Sequence, residues 1–339
     1  MSGQRPRLSD VAREAGVSLG SASKAINAPA AVREKTRVAV EAAVRKLGYI
    51  PDASGRALAS RQSRTVGIIL PTISNVVYSA FVHALHKVLA GHGYPLFVLA
   101  HEYDADLEAA YVRELIGRGV DGLVLIGTDH RAQVHDLLAA SATPHIFAWS
   151  IDEAPAFNAL GISNHRAMEA LADYLISLGH RRLSMITGAV IGNERARARV
   201  KGLEDAVARH GASLATVLEM PLTIEGGRVG FAEWLARKDG ATALVCATDL
   251  QAAGALDQAR LAGVRVPQDL SVTGFDDIEF AALLSPPLTT IRMPIDQLGH
   301  DVGAALVALM QGGAPFASRE LHTGLVVRAS TAGPVSSPK

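Results

Sequence analysis

The chain is poor in the features that mark secreted, membrane-spanning or disulfide-stabilised proteins. It has one cysteine in 339 residues, Cys246, which excludes a disulfide framework. No uninterrupted apolar run reaches the roughly 18 residues that a membrane-spanning helix needs. The arginines near the amino terminus are not followed by the apolar segment that a secretory signal contains. These absences predict a cytoplasmic protein that does not interact with a membrane.

Signatures of enzymes and metal sites are also scarce. The sequence contains no Walker loop and no H-E-x-x-H motif. His83 and His86 are three residues apart in a helical pattern, but no acidic residue or cysteine lies near them in the sequence. Packing or surface exposure is therefore the commoner role for such a pair than metal binding. We expect no catalytic residue, no metal site and no cofactor.

Charge is balanced over the chain but unevenly distributed along it. The 33 basic residues equal the 33 acidic ones, yet residues 1–63 contain eleven Lys and Arg and only five Asp and Glu. The amino-terminal segment therefore carries a net charge of +6 and the remainder −6. A basic segment on an acidic body indicates nucleic-acid binding, although the basic solvated face of a small domain would give the same count.

The first fifty residues have the pattern of a helix-turn-helix. Gly16-Val17-Ser18 makes a tight turn between two short helices, and Ser18 is placed to cap the second one, Leu19–Ile26, while Ser9 can help to cap the first. A third helix is predicted from about Arg33 to Leu47. Apolar residues of the first helix recur at helical spacing: Leu8, Val11, Ala12 and Ala15. A three-helix bundle that contacts no DNA is the alternative on these residues alone.

Three segments, Leu8–Ser18, Ser23–Asn27 and Leu47–Pro51, together resemble the LacI/GalR family of repressors. The resemblance implies a homodimer that binds a near-palindromic, double-stranded DNA operator, with the second helix of each head in a major groove. It also implies a small-molecule effector. The head residues that it places at the DNA are Leu8, Ser18, Leu19, Gly20, Ser21, Ser23, Lys24, Asn27 and Tyr49.

Some head residues depart from the family pattern. Leu19 and Gly20 stand where many relatives carry polar side chains that read bases. Leu19 can contact a thymine methyl group, whereas Gly20 offers no side chain. Lys24 stands where arginine is common, and Arg33 replaces the serine that usually caps the third helix. We therefore expect an operator preference that differs from those of better-known relatives.

Residues 53–59 resemble the family's hinge helix, which folds on DNA in the dimer. By position, Leu58 would be the side chain that enters the minor groove, and Arg56 would contact the DNA beside it. Gly55 replaces the usual alanine and should weaken this helix by roughly 1 kcal/mol. A plain linker is the alternative interpretation.

From Thr65 onward, short apolar runs alternate with amphipathic helices, which is typical of doubly wound parallel sheets. Strands are predicted at Val66–Leu70, Pro95–Leu99, Gly122–Ile126, His145–Trp149, Leu183–Thr187, Ala243–Cys246, Ser271–Gly274 and Thr289–Arg292. Helices are predicted at Val76–Ala90, Asp106–Arg118, His165–Leu178, Arg195–His210, Glu225–Arg237 and Asp249–Ala262.

The order of landmarks in this part again resembles the family, whose regulatory core is shaped like a type I periplasmic binding protein. The fold expected is an all-α helix-turn-helix head on a two-lobed α/β core. The expected domains are the head at 1–50, a hinge or linker at 51–63, the effector-binding and dimerisation core at 64–333 and a flexible tail at 334–339. The resemblance implies three crossings between lobes, near Ser163, Arg292 and Leu325. Without a tetramerising leucine tail, a dimer is favoured.

The resemblance points to an effector cleft at the carboxyl ends of the strands. Its predicted residues are Ser74, Asn75, Tyr78, Trp149, Arg199, Asp249, Phe275 and Asp276. Alternatives stay open for three of them: Arg199 on a solvated helix face with Arg195, Arg197 and Lys201, Asp276 as a helix cap, and Trp149 in the core. An arginine with a tryptophan favours an anionic effector that has an apolar or ring face, such as a sugar acid, although a sugar also fits.

The function that follows is a sequence-specific DNA-binding transcription regulator, of the repressor type, controlled by a small metabolite. The alternative is a periplasmic-type solute-binding protein or a small-molecule sensor without a DNA role. The alternative would not require the basic segment at residues 1–63.

Overall fold

The computed structural model describes residues 6–50, 63–153 and 155–334. The chain forms two compact units, Met1–Arg64 and Thr65–Lys339. Among the described residues, no helix combines the length and the apolar character needed to cross a membrane.

The first unit is the predicted three-helix head. Helices α1 (Leu8–Glu14), α2 (Leu19–Asn27) and α3 (Glu34–Leu47) pack around buried Val11, Ala22 and Val40. Ser18 caps α2 as predicted, since its hydroxyl accepts a hydrogen bond from the Ser21 amide at 3.1 Å. The helix-turn-helix prediction is confirmed.

The ends of the other two head helices differ in detail from the expectation. The prediction that Ser9 helps to cap α1 is wrong, because the helix already begins at Leu8 and its N-cap is Arg7. The Arg7 amide donates to Asp10 Oδ2 at 2.9 Å, so the carboxylate in the first turn satisfies it. Arg33 is the N-cap of α3 and makes no side-chain capping bond, while Gly48, at φ 60°, ends the helix in the left-handed conformation.

The second unit begins with one lobe built on a six-stranded parallel sheet. The strand order is β11-β5-β4-β3-β1-β2. Its first part runs β1 (Val66–Leu70), α4 (Val76–Gly91), β2 (Leu96–Ala100), α5 (Ala105–Gly117), β3 (Gly122–Ile126), α6 (Ala132–Ser141), β4 (His145–Ser150) and β5 (Ala159–Ile162).

The other lobe has a second six-stranded sheet in the order β12-β10-β9-β8-β6-β7, parallel except for β12. It comprises α7 (Asn164–Ser177), β6 (Arg182–Thr187), α8 (Glu194–Arg209), β7 (Ser213–Glu219), α9 (Ile224–Arg237), β8 (Ala243–Cys246), α10 (Asp249–Leu261), β9 (Ser271–Asp276), β10 (Thr289–Arg292) and β12 (Gly324–Val326). The first lobe is completed by α11 (Ile295–Met310) and β11 (Arg319–Glu320). The predicted fold class is confirmed.

The chain passes between the lobes three times, as expected. The first passage is at Ser163, between β5 and α7, and the second follows Arg292, between β10 and α11. The third lies between Glu320 and Gly324, so the expectation of a crossing near Leu325 is displaced by a few residues. Leu325 is already within β12, where it pairs with Ile291.

Candidate functional site: an inter-lobe cavity and a DNA-reading head

A small cavity of about 40 Å³ lies between the two lobes, at the carboxyl ends of their strands. This is where open α/β sheets bind ligands. A water molecule needs roughly 10–15 Å³ of such space, so the cavity has room for only a few waters or one small chemical group. Its principal polar and aromatic lining residues are Asn75, Tyr78, Tyr103 and Trp149 from one lobe and Thr187, Asn193, Arg195, Arg199, Thr248 and Asp276 from the other.

Arg199 is a buried cation on the wall of this cavity, with 6% of its surface exposed. Its guanidinium carbon lies 3.7 Å above the centre of the Phe275 ring. Nε donates to Asn164 Oδ1 at 3.0 Å and Nη1 donates to the Ala247 carbonyl. Within the described part of the chain Nη2 makes no hydrogen bond, and burial lowers the pKa of the group. A buried guanidinium with an unused donor at a cavity wall is suited to binding an anion.

Four of the five lysine and arginine residues of α8 divide into two pairs. Arg195 and Arg199 are buried and line the cavity, whereas Arg197 is half-exposed and Lys201 is exposed. The solvated-face interpretation therefore holds only for the second pair. Arg195 Nη1 lies 2.9 Å from Glu194 Oε1, and although burial opposes it, this carboxylate raises the pKa of Arg195 above its ordinary value.

Contacts from the start of α8 also join the two lobes. Glu194 Oε1 accepts a hydrogen bond from the Thr128 amide at 3.1 Å, and Arg197 Nη1 donates to Asp129 at 2.7 Å. Thr128 and Asp129 belong to the first lobe, because they follow β3. The amino-terminal turn of α8 thus holds the lobes against each other beside the cavity.

Trp149 and Asp276 face the same cavity from opposite lobes and share an uncommon backbone conformation. Their φ angles are 89° and 117°, values that side-chain-bearing residues rarely adopt. Such strain is concentrated at functional sites. Trp149 also packs against Tyr78, with ring centroids 4.5 Å apart, so it belongs both to the core and to the cavity wall.

Asp276 is buried on the cavity wall and does not cap the short helix that follows it. The 3₁₀ helix Glu279–Leu283 has Ile278 at its N-cap, and no side chain caps it. Burial raises the pKa of Asp276 well above its usual range, which the positive charge of Arg199 opposes. The Asp276 carboxyl can thus form a hydrogen bond with a hydroxyl or amine of a ligand.

Three predicted effector residues do not line this cavity. Asp249 is completely buried, accepts from Thr290 Oγ1 at 2.6 Å and from the Ile278 amide at 2.9 Å, and so holds its own lobe together. Burial raises its pKa to about 7. The Phe275 ring packs against the Arg199 guanidinium. Ser74 is exposed, and its backbone amide donates to Thr72 Oγ1. For Asp249, Phe275 and Ser74 the expectation of direct contact with the cavity is therefore corrected.

Several lining residues escaped the sequence analysis. Arg195 is four residues from Arg199 on one helix, and this spacing alone places the two side chains on the same face. Asn193 is the N-cap of α8, where its side chain accepts from the Ala196 amide. Tyr103 has φ 62° in the turn after β2, a conformation that no sequence pattern indicated.

In the head, α2 has a buried face and an exposed face, and the predicted DNA residues of this helix lie outside the buried one. Ala22 and Ala25 face the core, while Leu19, Gly20, Lys24 and Asn27 are exposed. Leu19 has 54% of its surface exposed, so its side chain is accessible at the start of α2.

The other predicted DNA residues of the head differ in burial. Ser18 is exposed, and Ser21 and Ser23 are half-buried on the same helix. Leu8 and Tyr49 pack against the head's core. Arg56 and Leu58 lie outside the described residues.

No group of three or more histidine, cysteine, aspartate or glutamate side chains in the described ranges is arranged to hold a metal ion. His83 and His86 both lie on α4, beside Ser79 and Val82.

Comparisons with known proteins agree with this geometry. The model of "Bacterial regulatory proteins, lacI family" matches residues 7–52, and that of the "Periplasmic binding protein-like domain" matches residues 172–331. The HTH-type transcriptional regulator GntR of Pseudomonas aeruginosa is 32% identical over 311 residues, covering 91% of this chain and 90% of its own length. The HTH-type transcriptional repressor CytR of Escherichia coli is 30% identical over 330 residues, covering 96% of each.

A solved structure extends the similarity to three dimensions. The lac repressor dimer, bound to operator and the anti-inducer ONPF, superposes with a TM-score of 0.86 and 28% identity. The superposition covers 97% of this chain and 100% of that one. The head and the two-lobed unit therefore occur together in proteins named as transcription regulators.

Proposed function

Since the chain belongs to the LacI family of bacterial regulatory proteins, we propose that a small anionic effector binds the inter-lobe cavity and changes the affinity of the head for operator DNA. The chain is a DNA-binding transcription regulator of the repressor type with an effector-binding domain. In this proposal residues 1–50 read the DNA, residues 51–63 form the hinge, residues 64–333 bind the effector and form the dimer, and residues 334–339 are a tail.

Two copies act together on double-stranded DNA in the cytoplasm. A homodimer presents one recognition helix to each half of a near-palindromic site, with half-sites roughly 34–36 Å apart. The exposed side chains of α2, Leu19 and Lys24, face the bases, and Gly20 lets the helix approach them closely. No residue receives a catalytic role. A solute-binding protein without a DNA role is disfavoured by the family match over residues 7–52.

The observation that carries the effector proposal is the unused Nη2 donor of Arg199 at the cavity wall. Phe275, Asn164 and the Ala247 carbonyl fix the rest of this guanidinium, so it is already oriented before a ligand arrives. A carboxylate that accepts from Nη2 would be held by a charge-assisted hydrogen bond away from bulk water. Trp149 and Tyr78 supply an apolar surface beside it.

Arg199→Ala tests this proposal. The variant should lose the effector response and keep operator binding, because the head lies in the other compact unit. The control is Lys201→Ala, which removes an exposed cation from the same helix. Thermal stabilisation by uronic and aldonic acids and release of DNA are measured together, with the midpoint of unfolding without ligand as a check on folding. An unchanged dose-response in Arg199→Ala would refute the anchor.

The DNA role is tested by selection of binding sites from a randomised double-stranded library with the full-length chain. A near-palindromic sequence should be enriched, and competition with unrelated duplex at a fixed salt concentration should show a preference of at least 10³-fold, as for other specific regulators. Lack of enrichment would refute operator recognition by this head.

A further inference from the structure

The loop that follows β3 carries contacts by which the first lobe holds the second. The Thr128 amide donates to Glu194 Oε1 at 3.1 Å, and Asp129 is paired with Arg197 at 2.7 Å. We call these two contacts the inter-lobe latch. Gly127, which begins the loop, has φ 92°, and a Cβ at this position would overlap the Glu194 carboxylate of the other lobe. The glycine thus lets the two lobes approach closely here.

One peptide group in this loop is held from both lobes. The carbonyl of Gly127 and the amide of Thr128 belong to the same planar unit, so the orientation of one sets that of the other. In the first lobe, Nε2 of His130 lies 3.1 Å from the carbonyl oxygen. In the second lobe, Glu194 accepts the hydrogen bond from the amide. His130 therefore orients the group through which the first lobe binds Glu194.

Both ring nitrogens of His130 face oxygen atoms that accept hydrogen bonds. Nε2 faces the Gly127 carbonyl, and Nδ1 lies 3.0 Å from Glu108 Oε1. A neutral imidazole has a single N–H, so beside an ionised Glu108 it satisfies only one of these two contacts. Both contacts together need one more proton, which either sits on Nδ1 or is donated to Nδ1 by a protonated Glu108. The pair as a unit therefore binds a proton in this conformation.

The pair is buried, so water does not replace a hydrogen bond that it loses. Glu108 is 4% exposed, and the side chain of His130 is 2% exposed. The His130 ring is stacked on Phe147, with ring centroids 5.2 Å apart, and this packing fixes the direction of the ring nitrogens. A buried polar group that is left unpaired costs its full desolvation penalty. Loss of the proton must therefore break one contact or displace the loop.

The groups around the pair do not compensate for this proton. His101 Nε2 lies 3.9 Å from Glu108 Oε1, but burial lowers the pKa of His101 and favours its neutral form. Burial also lowers the pKa of His135, whose ring centroid lies 6.1 Å from that of His130. The other charged or titratable groups on the surrounding elements are Asp104, which caps α5, the ion pairs Asp106–Arg131, Asp129–Arg197 and Glu194–Arg195, and His145, which contacts Phe147.

From this geometry we infer that His130 is a positioning residue of the inter-lobe latch, and that the proton it shares with Glu108 makes closure of the lobes depend on pH between about 5 and 9. With the proton bound, His130 holds the Gly127 carbonyl, and the Thr128 amide points at Glu194. As the pH rises and the proton leaves, Glu108 and the carbonyl compete for one N–H. A proton bound in the closed state stabilises that state at low pH and ceases to do so as the pH rises.

The latch is measured by hydrogen exchange of the Thr128 amide in the full-length protein without any effector, so the result is independent of the proposed function. Exchange is followed by NMR from pH 5 to pH 9, and each rate is divided by the intrinsic rate at that pH. Wild type should lose roughly tenfold or more of its protection across this range, because a hydrogen bond to a charged group changes an equilibrium by at least that factor. The midpoint of thermal unfolding at each pH separates local opening from global unfolding.

Two changes separate the proton from the shape of the pair. Glu108→Gln should keep the amide protected and remove the pH dependence, because the glutamine amide donates to an unprotonated Nδ1 while Nε2–H still binds Gly127. His130→Phe keeps a ring against Phe147 but has no N–H, so protection should be low at every pH. Glu108→Met/His130→Phe should give the same result without a buried carboxylate, in case the single variant does not fold. His135→Phe is the matched control and should keep the wild-type profile.

The other outcomes would overturn the inference. Constant protection of the wild-type amide from pH 5 to pH 9 would show that no proton controls the latch. A wild-type pH profile in Glu108→Gln or in the double variant would assign the pH dependence to another group. Low protection at every pH in Glu108→Gln would mean that the pair acts through its charge or packing and not through the proton. Loss of the profile in His135→Phe would remove the specific role of His130.

Discussion

The buried pair Glu194–Arg195 gives the sharpest stability prediction. Glu194 is 2% exposed, and both of its carboxylate oxygens lie within 3.1 Å of Arg195 Nη1. Glu194→Gln keeps the size of the side chain but leaves a buried guanidinium without its counter-charge. Removing one partner of a buried ion pair costs about 3–5 kcal/mol. Because the glutamine would still accept the hydrogen bond from the Thr128 amide, we expect a loss near the lower end, about 3 kcal/mol. The midpoint temperature of thermal unfolding should fall by roughly 6–12 °C.

The reasoning is tested most directly by removing both partners. Arg195→Met should be costly by itself, since it leaves Glu194 unpaired, whereas the double variant Glu194→Gln/Arg195→Met should be more stable than the costlier single variant. Urea unfolding followed by tryptophan fluorescence is the appropriate assay, because the only two tryptophans, Trp149 and Trp234, lie in the two-lobed unit. Losses that simply add would refute the account of the pair.

Two further predictions concern the second lobe. Burial lowers the pKa of His180, whose Nδ1 lies 2.8 Å from Thr242 Oγ1. Because the folded-state pKa lies below the unfolded value of about 6.5, the free energy of unfolding should fall as the pH drops below that value. His180→Asn should flatten this pH dependence in thermal melts from pH 8 to pH 5, and an unchanged slope would contradict the account. Gly254→Ala should cost about 1–3 kcal/mol, because its Cβ would lie 1.9 Å from the Ile224 carbonyl between α9 and α10. Gly117→Ala, whose Cβ meets nothing within 4 Å, is the matched control in the same denaturation assay, and equal effects would contradict the clash.

The sequence predicted the central strands well because parallel strands covered on both faces are continuous apolar runs. Val66–Leu70 and Ala243–Cys246 have every residue buried, and their bounds were predicted without error. The edge strand Ser213–Glu219 was missed, since it is largely half-exposed and mixes small, polar and apolar residues without strict alternation. Helix Ile295–Met310 was missed too, because Gly299 and Gly303, which let it approach α4, weaken the helical signal.

The residues of the candidate cavity could be predicted where they lie at strand ends. They could not be predicted where their role depends on hydrogen bonds to residues far away in the sequence. Trp149 and Asp276 lie at strand ends, where a doubly wound sheet binds ligands, whereas Arg199, on α8, was expected only from the resemblance to the family. Asp249 also follows a strand, but its carboxylate is bound by groups 29 and 41 residues away, and nothing local in the sequence indicates that pairing. The Glu108–His130 contact spans 22 residues and was unforeseen for the same reason.

The small volume of the inter-lobe cavity has a kinetic consequence. A ligand larger than one small group does not fit a cavity of about 40 Å³, so it can contact Arg199 only in a conformation in which the lobes lie further apart. At high concentration the observed association rate therefore approaches the opening rate and no longer rises with ligand. The apparent affinity is reduced by the fraction of molecules that are open. The half-exposed Arg197–Asp129 bridge, which joins the lobes, then contributes to response time as well as to response strength.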